Sequence, residues 1–212
     1  MSPEVLLLLA AVRVDAPRAF IDHALSAPLD WTRVVQLTLA HHLAPAMART
    51  LDAASPGLVP TDVLEAFQTY RARLAAQSDR LTRELTALLS AFDERSILVV
   101  PFKGPVLAER AFGDVSQRTP GDLDLLVRRA DIRHVRQLLF ERGYRDIDDD
   151  RSGHDLTDAQ RRMYERYQCE YLFVHPDDEV MVEPHWELCQ RTLALDVDYD
   201  GMLDRARPGE FA

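Results

Sequence analysis

Two aspartates one residue apart, Asp122 and Asp124, stand in the otherwise apolar run GDLDLLV. In a strand, alternate side chains share a face. The two carboxylates therefore point the same way, while Leu123 and Leu125 point into a core. Like charges on one face repel, and partial burial makes ionising both costly. A divalent cation removes that cost. Mg2+ takes oxygen ligands, keeps several waters and commonly sits on a few carboxylates together with phosphate oxygens. The pair is a metal platform, and the chemistry it fits is phosphoryl transfer.

Groups suited to phosphate precede the pair. Lys103-Gly104-Pro105 falls where a strand would exit into a helix. A glycine there lets backbone N–H groups approach a phosphate, the helix start favours anions, and Lys103 adds a point charge. Arg118 lies just before the aspartates, where a guanidinium could grip phosphate oxygens bidentately. Two-metal chemistry calls for a third carboxylate. In MVEPHWEL, alternation puts Glu183, His185 and Glu187 on one face and Val182, Pro184 and Trp186 on the other. Glu183 is the candidate and Glu187 the fallback. Pro184 predicts an edge strand or a bulge. His185 reads as structural, or as a partner that orients Glu183.

These residues need elements to hold them. The spacing of apolar positions predicts helices over 3–12, 16–25 and 30–51, a loop at 54–60, and a long helix over 62–93 with the stripe Phe67, Tyr70, Leu74, Leu81, Leu85, Leu88, Phe92. Thr61 or Asp62 can cap it. His41-His42 falls on a predicted helix, as packing or surface. The pattern then shifts. SILVVPF, 96–102, reads as a short buried strand, and GPVLAERAFG as a helix with Pro105 in its first turn. DLDLLVRR reads as a second strand and 130–143 as an amphipathic helix ended by Gly143. YRDID reads as a third strand and 157–166 as a helix. CEYLFVH and EVMVEPHWEL form a hairpin around 176–178. The expectation is an α/β (α+β) chain: a helical region, 1–93, a sheet-bearing part, 94–190, and a C-terminal tail, 191–212. The tail has few core candidates and reads as the end of a shortened protein or the start of a further helical region.

Composition narrows the function. The 212 residues carry 35 acidic against 25 basic groups, a net charge of −10, so no extended nucleic-acid surface is expected. Cys169 and Cys189 are too few for a disulfide framework and fit a reducing cytoplasm. The apolar run Val5–Val12 is short and follows Glu4 rather than a positive leader. Ser2-Pro3-Glu4 reads as the cap and first turn of a buried helix, and no membrane partner is expected. Two weaker signals are set aside. Asp148-x-Asp150-x-Ser152-Gly153 starts like a calcium loop but lacks its closing glutamate. Cys169, His175, His185 and Cys189 lack the spacing of structural zinc sites.

The ordered set Lys103-Gly104, Arg118, Gly121-Asp122-Leu123-Asp124, Gly143-Tyr144 and Glu183-x-His185-Trp186 resembles the uncharacterised bacterial nucleotidyltransferases of the polymerase-β-like superfamily. The resemblance covers roughly residues 96–188. It implies a nucleotidyltransferase core with a small mixed sheet flanked by helices, in which Asp122, Asp124 and Glu183 bind Mg2+. Lys103, Gly104, Arg118 and Gly121 would meet the triphosphate. It departs in having Lys103-Gly104-Pro105 where Gly-Ser or Gly-Gly is usual, and in a longer spacing to Asp122. The implied reaction moves a nucleotidyl group from an NTP to an acceptor hydroxyl and releases pyrophosphate. The acceptor is left open between a small molecule, a protein and an RNA end. The competing expectation is a non-catalytic member that binds a nucleotide or a protein partner, as an antitoxin or regulatory subunit would.

Overall fold

A computed structural model gives the fold. It describes residues 1–13, 15–118, 121–147, 156–177, 180–190, 193, 195, 197–207 and 209. The chain divides into two compact units, Met1–Asp79 with Asp114–Pro120, and Arg80–Gly113 with Gly121–Ala212.

The first unit is helical. Its elements are α1 (Pro3–Val12), α2 (Arg18–Leu25), α3 (Trp31–Ala40), α4 (Ala44–Asp52) and the first part of α5 (Thr61–Glu94). Ser2 caps α1 as the sequence predicts, its hydroxyl accepting from the Val5 N–H. Leu7, Ala10, Ile21, Val34, Met47, Leu51 and Phe67 form the core. The single helix expected over 30–51 is two. Pro45 sits in the first turn of α4, where its missing N–H costs nothing, and His42 turns the chain at φ +55°. His41 and His42 are therefore exposed turn residues, not helix-face ones. The segment 114–117 is pinned within this unit: Arg49 donates to the Gln117 side chain at 2.8 Å, and the Asp114 carboxylate takes the Ser116 N–H at 2.8 Å.

The second unit is built on a five-stranded mixed sheet. Its strands are β1 (Val99–Phe102), β2 (Asp122–Val127), β3 (Arg145–Asp146), β4 (Phe173–Val174) and β5 (Met181–His185), in the order β1-β2-β5-β4-β3. The helices are the later part of α5, α6 (Gly104–Phe112), α7 (Ile132–Glu141), α8 (Asp158–Tyr167) and α9 (Tyr199–Asp204). Leu123, Leu125 and Val127 alternate into a core with Val182, Tyr171, Phe173, Trp186, Leu88, Phe92 and Leu138. Burying one such side chain stabilises the fold by about 1.5–3 kcal/mol. That favours a single register for β2, since a slip by one residue would put both aspartates in the core. The tail contributes α9, whose Leu203 is buried and whose Asp200 and Asp204 both pair with Arg128.

Two strand expectations are corrected. β1 is not a buried strand but a half-buried sheet edge, which accommodates Pro101. A short apolar run does not reveal how many neighbours it has. β5 is not an edge: it lies between β2, parallel, and β4, antiparallel. A strand residue's N–H and C=O point to the same side. The Pro184 carbonyl accepts from the Tyr171 N–H, so its missing donor faces the β4 flank. There β4 pairs only with Val182 and Met181, and Pro184 falls past its end.

Candidate active site

The parallel pairing of β2 with β5 sets Asp124 opposite Glu183 and Asp122 opposite Met181. Strands some sixty residues apart in the chain thus bring the expected acids to one face of the sheet. β1 places Phe102 opposite Asp124, and the next residue, Lys103, turns the chain into α6. Lys103 holds φ +58°, a strained value for a side-chain-bearing residue, and Gly104 holds φ +43°. A Cβ at Gly104 would lie 3.1 Å from the Asp122 carbonyl oxygen. The glycine therefore lets the turn close on the carboxylate strand. No side chain among the described residues caps α6, so the N–H groups of its first turn are available to an anion. Gly104→Ala is expected to lower the unfolding free energy by about 1–2 kcal/mol, from the left-handed backbone alone. Urea denaturation measures this, and an unchanged midpoint would contradict it.

Asp124 is the centre of the cluster. It is 2% exposed, and two cations converge on one of its oxygens. Lys103 Nζ lies 2.6 Å and His185 Nε2 3.1 Å from Oδ1. Oδ2, equally buried, has no hydrogen-bond partner among the described residues. Burial alone would raise the Asp124 carboxyl, but hydrogen bonds from His185 and Lys103 outweigh it and hold the group below its usual value. Asp122 is raised instead, first by burial and then by the charges of Asp124 and Glu183. Burial pulls Lys103 down, yet Asp124, Asp122 and Glu183 raise it on balance. His185 is pushed up to about 9: burial lowers it, and contacts with Asp124 and Glu183 more than offset that.

Ligand atoms of Asp124, Glu183 and His185 all lie within 4.8 Å of one another, a spacing that could hold a metal ion. Asp122 is outside that tightest group but within electrostatic reach of it. Glu183 is half-buried, with Oε2 3.5 Å from His185 Nε2. A divalent cation fits this donor set: three carboxylates in mutual repulsion, one of them with a buried, unpartnered oxygen.

Glu187 lies beyond the end of β5 and pairs with Arg129 at 2.7 Å. Arg118 belongs to the first unit, whereas the carboxylate cluster is built from the second. Gly121 immediately precedes β2, with nothing within 4 Å of a Cβ placed there. Of the zinc set, Cys169 and His185 come within 4.8 Å of each other together with Glu170, while Cys189 Sγ sits 3.3 Å from the Tyr199 hydroxyl and His175 packs on the Tyr144 ring at 5.1 Å. The half calcium loop at 148–153 lies outside the described residues. Glu170 carries no signal in the sequence. An isolated bridge pairs it with His185, and its Oε2 lies 2.9 Å from His185 Nδ1. Nothing in local spacing could have announced this.

Both cysteines are free. Burial, helped by Glu170, pushes the Cys169 thiol up to about 11. Since the thiolate is the reactive form, a thiol reagent at pH 8 is expected to label Cys189 first and Cys169 only after unfolding. Peptide mapping of the labelled protein checks this.

A mixed sheet flanked by helices, with acids gathered on two adjacent strands, is consistent with a nucleotidyltransferase fold. The chain belongs to the family described as uncharacterised nucleotidyltransferase, whose model matches residues 27–212. No curated protein and no solved structure matches the chain. Among the described residues, no helix is long and apolar enough to cross a membrane.

Proposed function

We propose that this protein is a Mg2+-dependent nucleotidyltransferase that moves a nucleotidyl group from an NTP to an acceptor hydroxyl and releases pyrophosphate. The observation that carries the reading is Asp124 Oδ2: a carboxylate oxygen, buried, without a donor among the described residues, beside two further acids. Such an oxygen is costly unless a cation sits against it. Asp122, Asp124 and Glu183 are the residues that would hold Mg2+. When bound, the ion would draw charge from the phosphate oxygens and make an acceptor hydroxyl easier to deprotonate.

The chain's own groups supply the rest. Lys103, beside Asp124 and nearly half exposed, is placed to meet the phosphates with its ammonium. The first turn of α6, which directly follows Lys103, has no side-chain cap among the described residues, so its backbone N–H groups can serve an anion. Arg118 and Gly121 are assigned to the triphosphate on their positions in the sequence. The acceptor is a small molecule, a protein or an RNA end, and two free cysteines fit a cytoplasmic setting.

The test is incubation with Mg2+, each α-labelled NTP in turn, and cell lysate as the acceptor source. Label should pass to an acceptor with the wild-type protein and not with Asp122→Ala/Asp124→Ala. Nucleotide binding without transfer, unchanged in the double variant, would place the protein among non-catalytic binders of this fold.

A further inference from the structure

The proposed metal site has a positioning element that its three acids do not include. His185 is 4% exposed and stands at the end of β5, two residues beyond Glu183. Its Nε2 lies 3.1 Å from Asp124 Oδ1 and 3.5 Å from Glu183 Oε2, so one ring nitrogen serves carboxylates from two strands. A carboxylate oxygen can only accept, so Nε2 is the donor. The ring is fixed from two further sides. Glu170 Oε2 lies 2.9 Å from Nδ1, at ion-pair distance but without hydrogen-bond alignment, and the Phe102 ring meets the imidazole edge-on at 5.1 Å. The consequence shows on Asp124. With His185 and Lys103 both on Oδ1, the carboxylate is held by one oxygen, and the buried Oδ2 is the one left for another partner.

The geometry points to His185, anchored by Glu170, as a positioning residue that holds one oxygen each of Asp124 and Glu183 so that their remaining oxygens converge on a divalent cation. This rests on the metal-binding reading of Asp124 and Glu183 given above. His185 acts through the acids and does not itself bind the ion. Hydrogen bonds that orient metal-binding carboxylates typically change metal affinity by about 10–100-fold when removed.

Mn2+ binding to the full chain, without nucleotide, tests this by electron paramagnetic resonance titration, with folding followed by circular dichroism. His185→Leu should weaken Mn2+ binding about 10–100-fold. His185→Gln places an amide N–H near the position of Nε2 and should recover most of that loss. Glu170→Ala removes only the anchor and should weaken binding about several-fold. Its side chain is 41% exposed, so this variant reports even if His185→Leu does not fold. Spin-echo spectra of bound Mn2+ should lack the nitrogen coupling of a directly attached imidazole. Wild-type affinity in folded His185→Leu or Glu170→Ala would overturn the positioning role, and so would a directly attached nitrogen. Absence of Mn2+ binding by the wild type would instead overturn the metal-site reading itself and this inference with it.

Discussion

On the proposed function, Asp124→Asn is expected to keep the fold and to lose nucleotidyl transfer by about a thousandfold or more, the scale expected when a charge-bearing group at a reacting centre is removed. The substitution preserves shape almost atom for atom. One amide oxygen can still accept from Lys103 or His185, both of which now meet Oδ1. What disappears is charge. Lys103 is 48% exposed and can turn to water, and His185 can give up its proton, so no isolated buried charge is left behind. The buried Oδ2 position would carry either an amide nitrogen or a neutral oxygen, and neither can serve a divalent cation as a carboxylate does. The same variant should relieve Asp122, whose carboxyl is raised partly by the Asp124 charge. Transfer of label from α-labelled NTP reads the first effect, and Mn2+ titration reads its cause. Transfer within tenfold of wild type would remove Asp124 from the reaction.

Much of this site is legible in the amino-acid sequence alone. The period-two alternation of Asp122-Leu123-Asp124-Leu125 fixes which side chains join the carboxylate face and which join the apolar core, because the pleat leaves no third choice. The same alternation puts Glu183 and His185 together on one face of β5, and Lys103-Gly104-Pro105 marks the strand-to-helix turn. The misplaced expectations share a cause, which is that local pattern carries no information about neighbours. SILVVPF is apolar enough for a buried strand, yet β1 ends up at the edge. Pro184 should mark an edge, yet β5 is central: β4 is only two residues long and ends before the proline, whose missing N–H therefore costs β4 no ladder bond. His185 and Glu170 acquire their roles from one isolated bridge and from a parallel pairing across the chain. The break at His41–Leu43 is hidden for another reason: apolar spacing runs on through 30–51, and Pro45, in a first turn, starts a new helix rather than ending one.

Asp146→Ala is expected to destabilise the protein by about 1.5–3 kcal/mol, the scale of a lost hydrogen bond to a charged group. Asp146 lies on β3, the sheet edge opposite β1, and is 2% exposed. Arg136 on α7 donates to it at 2.9 Å, and Arg161 on α8 approaches the same oxygen at 3.9 Å. The Arg136 guanidinium also stacks 4.6 Å from the Tyr171 ring and 5.2 Å from Phe140. One carboxylate therefore ties a two-residue edge strand to two helices over the aromatic core. Removing it takes one acceptor from Arg136, which stays charged, since a guanidinium does not give up its proton near neutrality. Asp146→Asn keeps an acceptor and should cost clearly less. The exposed pair Arg71–Asp52 gives the contrast: Asp52→Ala should change stability by about 1 kcal/mol or less, as surface ion pairs do. Salt separates the two cases, because screening reaches the exposed pair and hardly touches the buried one. Urea denaturation of both variants at low and high ionic strength measures all of this. A small, salt-sensitive loss for Asp146→Ala would show that this ion pair does not hold the edge of the sheet.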